Sequence, residues 1–127
     1  MRRIVLDLQS GLFADAVTQA LSGNSSDFVI FRASGPEETV SVCRASHANV
    51  LVMEVNRQGI WKLSERIKIR NEIASAGLGC KILLLVDEKA DELLAADVRQ
   101  TVKDRLVDNF IYASVSPTYL AGVIDTL

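Results

Sequence analysis

The chain has 127 residues, of which 49% are hydrophobic and 24% charged, a composition that can bury a core and excludes an intrinsically disordered chain. Its 14 Lys and Arg against 16 Asp and Glu give a net charge of -2, without the basic excess of domains that bind nucleic-acid backbones. The longest apolar runs, such as Ile82 to Val86, are far shorter than the roughly 20 residues that a membrane-spanning helix needs. We therefore expect one globular domain over residues 1–127 that binds neither nucleic acid nor membrane.

The N-terminus and the cysteines indicate the compartment and the chemistry. The first apolar run stops at Asp7 and is too short for a secretory signal, so we expect a cytoplasmic protein. Cys43 and Cys80 lie far apart in sequence and form neither a Cys-x-x-Cys pair nor a disulfide framework. We interpret both as small core or surface residues, and we expect no cofactor.

The first half of the chain alternates between predicted strands and helices. The apolar run 3–8 predicts a buried strand, and the apolar residues after it recur at helical spacing. A second strand at 28–31 precedes a helix from about 35 to 46. Ser34 and Glu37 are spaced as a capping box at the start of that helix.

The same alternation continues to the end of the chain. Three further strands are predicted at 49–55, 81–86 and 109–112. The helix after the third strand has a predicted apolar face of Ile60, Leu63, Ile67 and Ala74. Asp87 is expected to cap a helix over about 88–106, and Ser116 with Pro117 to open the last helix.

Five strand-helix units with nearly continuous apolar strands require a parallel sheet covered by helices on both faces. Right-handed connections and the small size favour a flavodoxin-like α/β fold, a three-layer doubly wound sandwich with strand order 2-1-3-4-5. Ligands and chemistry in such sheets lie beyond the carboxyl ends of the strands. The residues at those ends are therefore the candidate site.

Few of the strand ends carry polar side chains. The first strand ends at Asp7 and Leu8, the third at Glu54 followed by Asn56, the fourth at Val86 and the fifth at Ala113. This order resembles the receiver domain of bacterial two-component response regulators, the CheY-like chemotaxis-regulator type, over essentially the whole chain. That family has an acidic pair after the first strand, a phosphorylated Asp after the third, Thr or Ser after the fourth, and Lys-Pro after the fifth.

The resemblance assigns positions in the acidic pocket of the family to three residues. Asp7 matches the first acid of the pair, and Leu8 stands where the family has the acid that usually contacts magnesium. Glu54 fills the phospho-acceptor position, one methylene longer than Asp. A carboxylate there partly mimics the charge of a phosphorylated receiver.

The switch positions of the family are also altered. Val86 replaces the hydroxyl residue, and Ala113 replaces the lysine that holds the transferred phosphoryl group. Phe110, three residues before Ala113, matches the switch aromatic. The resemblance is thus strong in architecture and weak in the catalytic motif.

These replacements remove what phosphoryl transfer to a carboxylate requires. The reaction depends on a divalent cation and a cationic side chain that balance the charge on the phosphoryl oxygens. Asp7, Glu54 and the carbonyl of Asn56 form an incomplete oxygen cage, so at most weak Mg²⁺ binding at Asp7 and Glu54 is expected. The resemblance therefore implies an atypical pseudo-receiver that is not phosphorylated and is not an enzyme.

The resemblance also implies how the domain acts. Receiver domains use the surface of the fourth helix, fifth strand and fifth helix for protein contacts, so we expect a protein partner or a homodimer there. They often regulate a C-terminal output module, commonly a transcriptional one. The chain ends at Leu127 after the last helix, which is compatible with a stand-alone protein and with part of a longer regulator.

Other interpretations stay open. A flavodoxin-like binder of a nucleotide or flavin would use the same crevice, although Ser10 is the one residue of a Ser/Thr-rich phosphate loop present. An enzyme is disfavoured because one histidine and two distant cysteines assemble no pair of nucleophile and base. Asp7 and Glu54 are alternatively solvated loop acids, or lie side by side and repel each other.

The segment after the third strand carries a basic stripe. Lys62, Arg66 and Arg70 recur at i, i+4 and i+8, with acidic residues between them, which predicts a solvated helix face. Trp61, the single tryptophan, is expected to cover the sheet.

Overall fold

The computed structural model describes residues 2–24, 27–86 and 92–127. The strands are β1 (Arg2–Asp7), β2 (Phe28–Arg32), β3 (Val50–Val55), β4 (Lys81–Val86) and β5 (Asn109–Tyr112). The helices are α1 (Gly11–Asn24), α2 (Thr39–Ser46), α3 (Leu63–Ser75), α4 (Glu92–Lys103) and α5 (Pro117–Asp125). The strands form one parallel sheet in the order β2-β1-β3-β4-β5, which confirms the predicted doubly wound fold.

The alternation of side chains along the strands creates two cores, one on each face of the sheet. The first lies under α1 and α5 and includes Ile4, Leu6, Val52, Leu85, Leu21 and Ile124. The second lies under α2, α3 and α4 and includes Val5, Leu51, Met53, Cys43, Ile73 and Val98. We call these the α1/α5 core and the α2–α4 core.

The bounds of β4 and β5 are those predicted from the sequence, and β1 ends at Asp7 rather than at Leu8. The predicted capping box of Ser34 and Glu37 is wrong. A 3-10 turn over Pro36–Glu38 precedes α2, and its N-cap residue is Gly35, which makes no side-chain capping bond. The Ser34 hydroxyl donates instead to the carboxylate of Glu38.

Two predictions for the helices also need correction. The buried residues of α3 are Arg66, Ile69 and Ile73, whereas Ile60 and Ala74 of the predicted apolar face are exposed. Helix α4 ends at Lys103 rather than near 106. Arg105 adopts a left-handed conformation with φ of 60°, and the Leu106 amide bonds the Thr101 carbonyl at 3.0 Å, which closes the helix. Asp87 lies outside the described residues.

Among the helices described, none is both long enough and apolar enough to span a membrane.

Candidate functional site

A buried ion pair lies at the carboxyl end of β1. The Asp7 side chain is 0% exposed, and so is that of Arg66 on α3. Arg66 Nη1 donates to Asp7 Oδ2 at 2.6 Å. A buried carboxylate without a cation would carry a large desolvation cost, and this guanidinium compensates it.

The same guanidinium also binds the backbone of two strands. Arg66 Nη2 donates to the carbonyl of Asp7 at 3.2 Å, and Nε donates to the carbonyl of Glu54 at 2.8 Å. The Trp61 ring lies against it, with Arg66 Cζ 4.6 Å from the ring centroid. Arg66 therefore holds the ends of β1 and β3 together from the α3 side.

The solvated basic stripe predicted on this helix is wrong for its central member. Lys62 is exposed and Arg66 is fully buried. Arg70, half-buried, donates from Nε to the carbonyl of Leu106 at 2.8 Å. Trp61 was expected to cover the sheet, but it is not among the residues of either core and packs on the Arg66 guanidinium. The aromatic residue and the cation therefore belong to one cluster.

Thr39 completes the surroundings of Asp7. Its hydroxyl lies at the first turn of α2, is fully buried, and donates to Asp7 Oδ2, the oxygen that Arg66 also binds. The other carboxylate oxygen, Oδ1, is buried and has no hydrogen-bond partner among the described residues. One oxygen of Asp7 thus receives both recorded side-chain hydrogen bonds.

Glu54 lies in a separate, more exposed polar group. Its Oε1 accepts from the backbone amide of Gln9 at 3.1 Å. The Gln9 side chain accepts in turn from Asn56 Nδ2 at 2.7 Å, and Asn56 Oδ1 accepts from the Gln58 amide at 2.8 Å. This network fixes the loops after β1 and β3 to each other.

The expected repulsion between Asp7 and Glu54 is not what the contacts show. Asp7 is in register with Met53, so it shares the sheet face of the α2–α4 core, and Glu54, the next residue, faces the other side. Asp7 is paired with Arg66, and Glu54 accepts a backbone hydrogen bond. Neither carboxylate is a simple solvated loop acid.

The residues at this site do not fit a magnesium ion. Leu8 is buried in the α1/α5 core and offers no ligand, and Arg66 places a positive charge directly on Asp7. Mg²⁺ requires several oxygen ligands in near-octahedral geometry. Within the described part of the chain, no group of three or more His, Cys, Asp and Glu side chains is arranged to hold a metal.

The ends of β4 and β5 are apolar. Val86 is fully buried, and its carbonyl accepts from the Ala113 amide at 2.8 Å. Ala113 lines a cavity of about 140 Å³ between α1 and α5, whose other lining residues include Phe13, Leu85 and Leu120. No cation or hydroxyl is presented by Val86 or Ala113 to a group bound at the strand ends.

Phe110 and Ser10 each contact residues close to them in sequence. Phe110 is half-buried and packs edge-on against Tyr112, with ring centroids 5.9 Å apart. Ser10 Oγ accepts from the Phe13 amide at 3.2 Å and so satisfies the first turn of α1.

Asp7, Glu54 and Asn56 were predicted from the sequence as site residues, whereas Arg66, Thr39 and Gln9 were not. One signal for Arg66 was present, because it lies at i-3 and i-7 from Ile69 and Ile73 on a single helix face. A cation on an apolar stripe, in the helix after an acidic strand end, indicates a buried pair. Nothing in the local sequence singles out Gln9.

Comparisons with known proteins agree on the fold. No protein-family model and no curated protein matches the sequence. A DNA-binding response regulator of the LuxR family from Staphylococcus aureus has 15% identity and a TM-score of 0.78, with 99% of this chain and 98% of that chain covered. The receiver domain of the putative response regulator NarL from Mycobacterium tuberculosis has 16% identity and a TM-score of 0.77, with 98% and 94% covered.

A third similar structure is the response regulator TrrA from Thermotoga maritima. It has 16% identity and a TM-score of 0.75, with 99% of this chain and 98% of that chain covered. The chain therefore has the fold of response regulator receiver domains, as the resemblance in architecture predicted.

Proposed function

We propose that this chain is a single receiver-like signalling domain over residues 1–127 whose acidic pocket is closed by an internal cation instead of metal and phosphate. It acts in the cytoplasm through protein contacts, is not an enzyme, and controls an output module, most simply a transcriptional one. The fold supports the general role. The buried pair of Asp7 and Arg66 carries the specific proposal.

The pair makes phosphorylation unnecessary as well as unfavourable. A phosphorylatable pocket keeps its carboxylates free for a metal ion. Here Arg66 uses Nε, Nη1 and Nη2 on three acceptors at the ends of β1 and β3. Moving it towards a bound phosphoryl group would break these bonds inside a dry interior. The domain is thereby held in one conformation without a ligand.

The experiment that tests this role is attempted activation with acetyl phosphate, or with beryllofluoride and Mg²⁺. TrrA, whose structure was solved in complex with Mg²⁺-BeF, serves as the positive control under identical conditions. We expect no covalent adduct by intact mass. Because the Trp61 ring lies against Arg66, its fluorescence reports on the pocket, and we expect it to stay constant.

Two results would contradict the proposal. One is an adduct of about 80 Da on Glu54. The other is saturable quenching of Trp61 at millimolar Mg²⁺ while TrrA responds normally. Either would mean that the Arg66 side chain moves and allows phosphate or metal to bind in the pocket.

The contact surface is proposed to be α4, β5 and α5, with a second copy of the chain as the partner. Two of the large apolar side chains exposed among the described residues support this: Leu93 on α4 is 71% exposed and Tyr119 on α5 is 57% exposed. Single exposed apolar side chains also occur on monomers, so Leu93 and Tyr119 support this surface together with the receiver-like fold, in which α4, β5 and α5 are the expected contact face.

The chain offers matched controls for this surface. Leu93→Lys and Tyr119→Lys should each shift a dimer towards monomer in a light-scattering dilution series. Leu12 on α1 and Ile60 before α3 are also exposed, at 82% and 51%, and their Lys variants should leave the dimer intact. A monomer at every concentration, or disruption by the Leu12 variant alone, would overturn the proposed interface.

A further inference from the structure

The two cysteines, distant in sequence, belong to the same core. Cys43 lies in α2, is 1% exposed and forms part of the α2–α4 core. Cys80 precedes β4 and packs against that core as a half-buried residue. It is in phase with Ile82 and Leu84, whose side chains face α2 to α4, so both thiols lie on one face of the sheet.

Backbone hydrogen bonds bring the two segments to the same end of the sheet. The Cys43 carbonyl accepts from the Ala48 amide at 3.1 Å, and the carbonyl of Asn49, the residue after Ala48, accepts from the Lys81 amide at 2.9 Å. The end of α2, the start of β3 and the start of β4 therefore meet at the amino end of the strands. This end is opposite the pocket of Asp7 and Arg66.

The two thiols pack into one core, and each affects the pKa of the other. The Cys80 thiol also donates to the Lys81 carbonyl at 3.6 Å. A hydrogen bond from the Cys80 thiol lowers the pKa of Cys43 from its ordinary value, although burial acts against this. The same hydrogen bond, reinforced by burial, raises the pKa of Cys80. Both residues are free cysteines.

Cys80 is the thiol that a small oxidant reaches. It lines a surface cavity of about 250 Å³ between α3 and the start of β4, whereas Cys43 is 1% exposed and is not a lining residue of that cavity. We propose that Cys43 and Cys80 form a redox site that a hydroperoxide converts to an intramolecular disulfide between α2 and β4. This site is independent of the function proposed above.

The reaction takes two steps. The Cys80 sulfur attacks one peroxide oxygen and passes its proton to the Cys43 thiolate, the O–O bond breaks, and the leaving hydroxide takes a proton to become water. The Cys43 sulfur then attacks the sulfur of the Cys80 sulfenic acid. The S–O bond breaks, and the departing hydroxide takes the Cys43 proton. In total two thiols are oxidised by two electrons and one hydrogen peroxide is reduced to two water molecules.

The direct test is oxidation of the reduced full chain with stoichiometric hydrogen peroxide, followed by intact mass without reductant. We expect a monomer lighter by about 2 Da, the mass of two hydrogens. Trypsin should leave the peptides 33–44 and 71–81 linked to each other, because Arg32, Arg44, Arg70 and Lys81 are the flanking cleavage sites. Dithiothreitol should separate them.

Single variants assign the steps. In Cys43→Ala, peroxide should stop at a sulfenic acid on Cys80 that dimedone traps, and in Cys80→Ala the buried Cys43 should stay unmodified. The disulfide should form faster in the native chain than in concentrated urea. Its closure should also raise the melting temperature by several degrees, because the unfolded chain is constrained.

The proposal is overturned if peroxide yields only disulfide-linked dimers or oxygen adducts. It is also overturned if closure is as fast in urea as in the native chain. These measurements on the unmodified chain do not depend on the folding of either variant. If acetyl phosphate were found to phosphorylate the chain in the earlier experiment, the disulfide measurement would be unaffected, so the two proposals can fail separately.

Discussion

The two faces of the sheet are built differently. The core under α1 and α5 consists of hydrophobic side chains. The buried polar or charged residues among those described all lie at the end of β1 or on the helices of the other face: Asp7, Thr39, Ser46, Arg66 and Thr101. One face is therefore stabilised mainly by area burial, and the other also by directional bonds that require specific partners.

This difference separates fold from function. An apolar core tolerates many sequences of similar volume, so the α1/α5 face maintains the sheet. A buried ion pair contributes little net stability compared with a hydrophobic pair but is strongly destabilising when one partner is lost. The Asp7 and Arg66 pair is thus better explained by holding one arrangement of the strand ends than by adding stability.

The largest effect is expected from removing the cation. Arg66→Met keeps much of the side-chain volume but leaves Asp7 buried and unpaired, at a cost of about 4 kcal/mol in the free energy of unfolding. Urea denaturation measures it. The matched control is Arg70→Met, one turn further along α3, which loses the hydrogen bond to the Leu106 carbonyl and an exposed one to Asn71 and should cost about 1 kcal/mol.

A double variant shows whether the cost comes from the lone charge. Asp7→Leu combined with Arg66→Met should restore stability to within about 1 kcal/mol of the unmodified chain. If the double variant is as unstable as Arg66→Met alone, the stability depends on the hydrogen bonds to the strand carbonyls rather than on charge pairing.

The second prediction concerns the apolar face. Leu21 is fully buried in the α1/α5 core, and Leu21→Ala should cost about 3 kcal/mol by leaving a cavity. Combined with Arg70→Met, the cost should be additive within about 0.5 kcal/mol, because the two residues lie on opposite faces of the sheet. A coupling above 1 kcal/mol in urea denaturation would mean that the faces do not act independently.

The third prediction concerns the Thr39 hydroxyl, which donates a hydrogen bond to Asp7. Thr39→Val is nearly isosteric and removes one donor from a buried carboxylate, at a cost of about 2 kcal/mol by thermal or urea unfolding. Ser46→Ala, also on α2, removes a hydroxyl that donates to the Val42 carbonyl within its own helix, so its cost should be smaller. Equal costs would show that Thr39 acts only on its helix.

The same comparison explains what the sequence could predict. Apolar periodicity is local and follows each strand and helix, so the sheet order and the bounds of β4 and β5 could be predicted from the sequence. Strand ends in a parallel sheet meet at one edge, so Asp7 and Glu54 could also be predicted as candidate site residues.

The ion-pair and hydrogen-bond partners of those residues could not be predicted in the same way. Charge patterning assigns a stripe such as Lys62, Arg66 and Arg70 to solvent, because buried cations are rare. Whether an arginine is buried depends on a carboxylate from a distant strand, which only the packing of α3 against β1 reveals. The packing of Cys43 and Cys80 into one core is long-range for the same reason.

The smallest effect is expected at Glu54. Repulsion between two acids would make Glu54→Gln stabilising by about 1 kcal/mol. In the structure Glu54 accepts one hydrogen bond from the Gln9 amide, which a glutamine oxygen can also accept, and Asp7 is neutralised by Arg66 on the other side of the sheet. We therefore expect a change of less than about 0.5 kcal/mol in paired melts. A stabilisation of 1 kcal/mol or more would mean that the negative charges of the two strand ends still interact despite the guanidinium. Destabilisation that chelator reproduces in the unmodified chain would instead indicate a bridging cation, and the pocket would then be open.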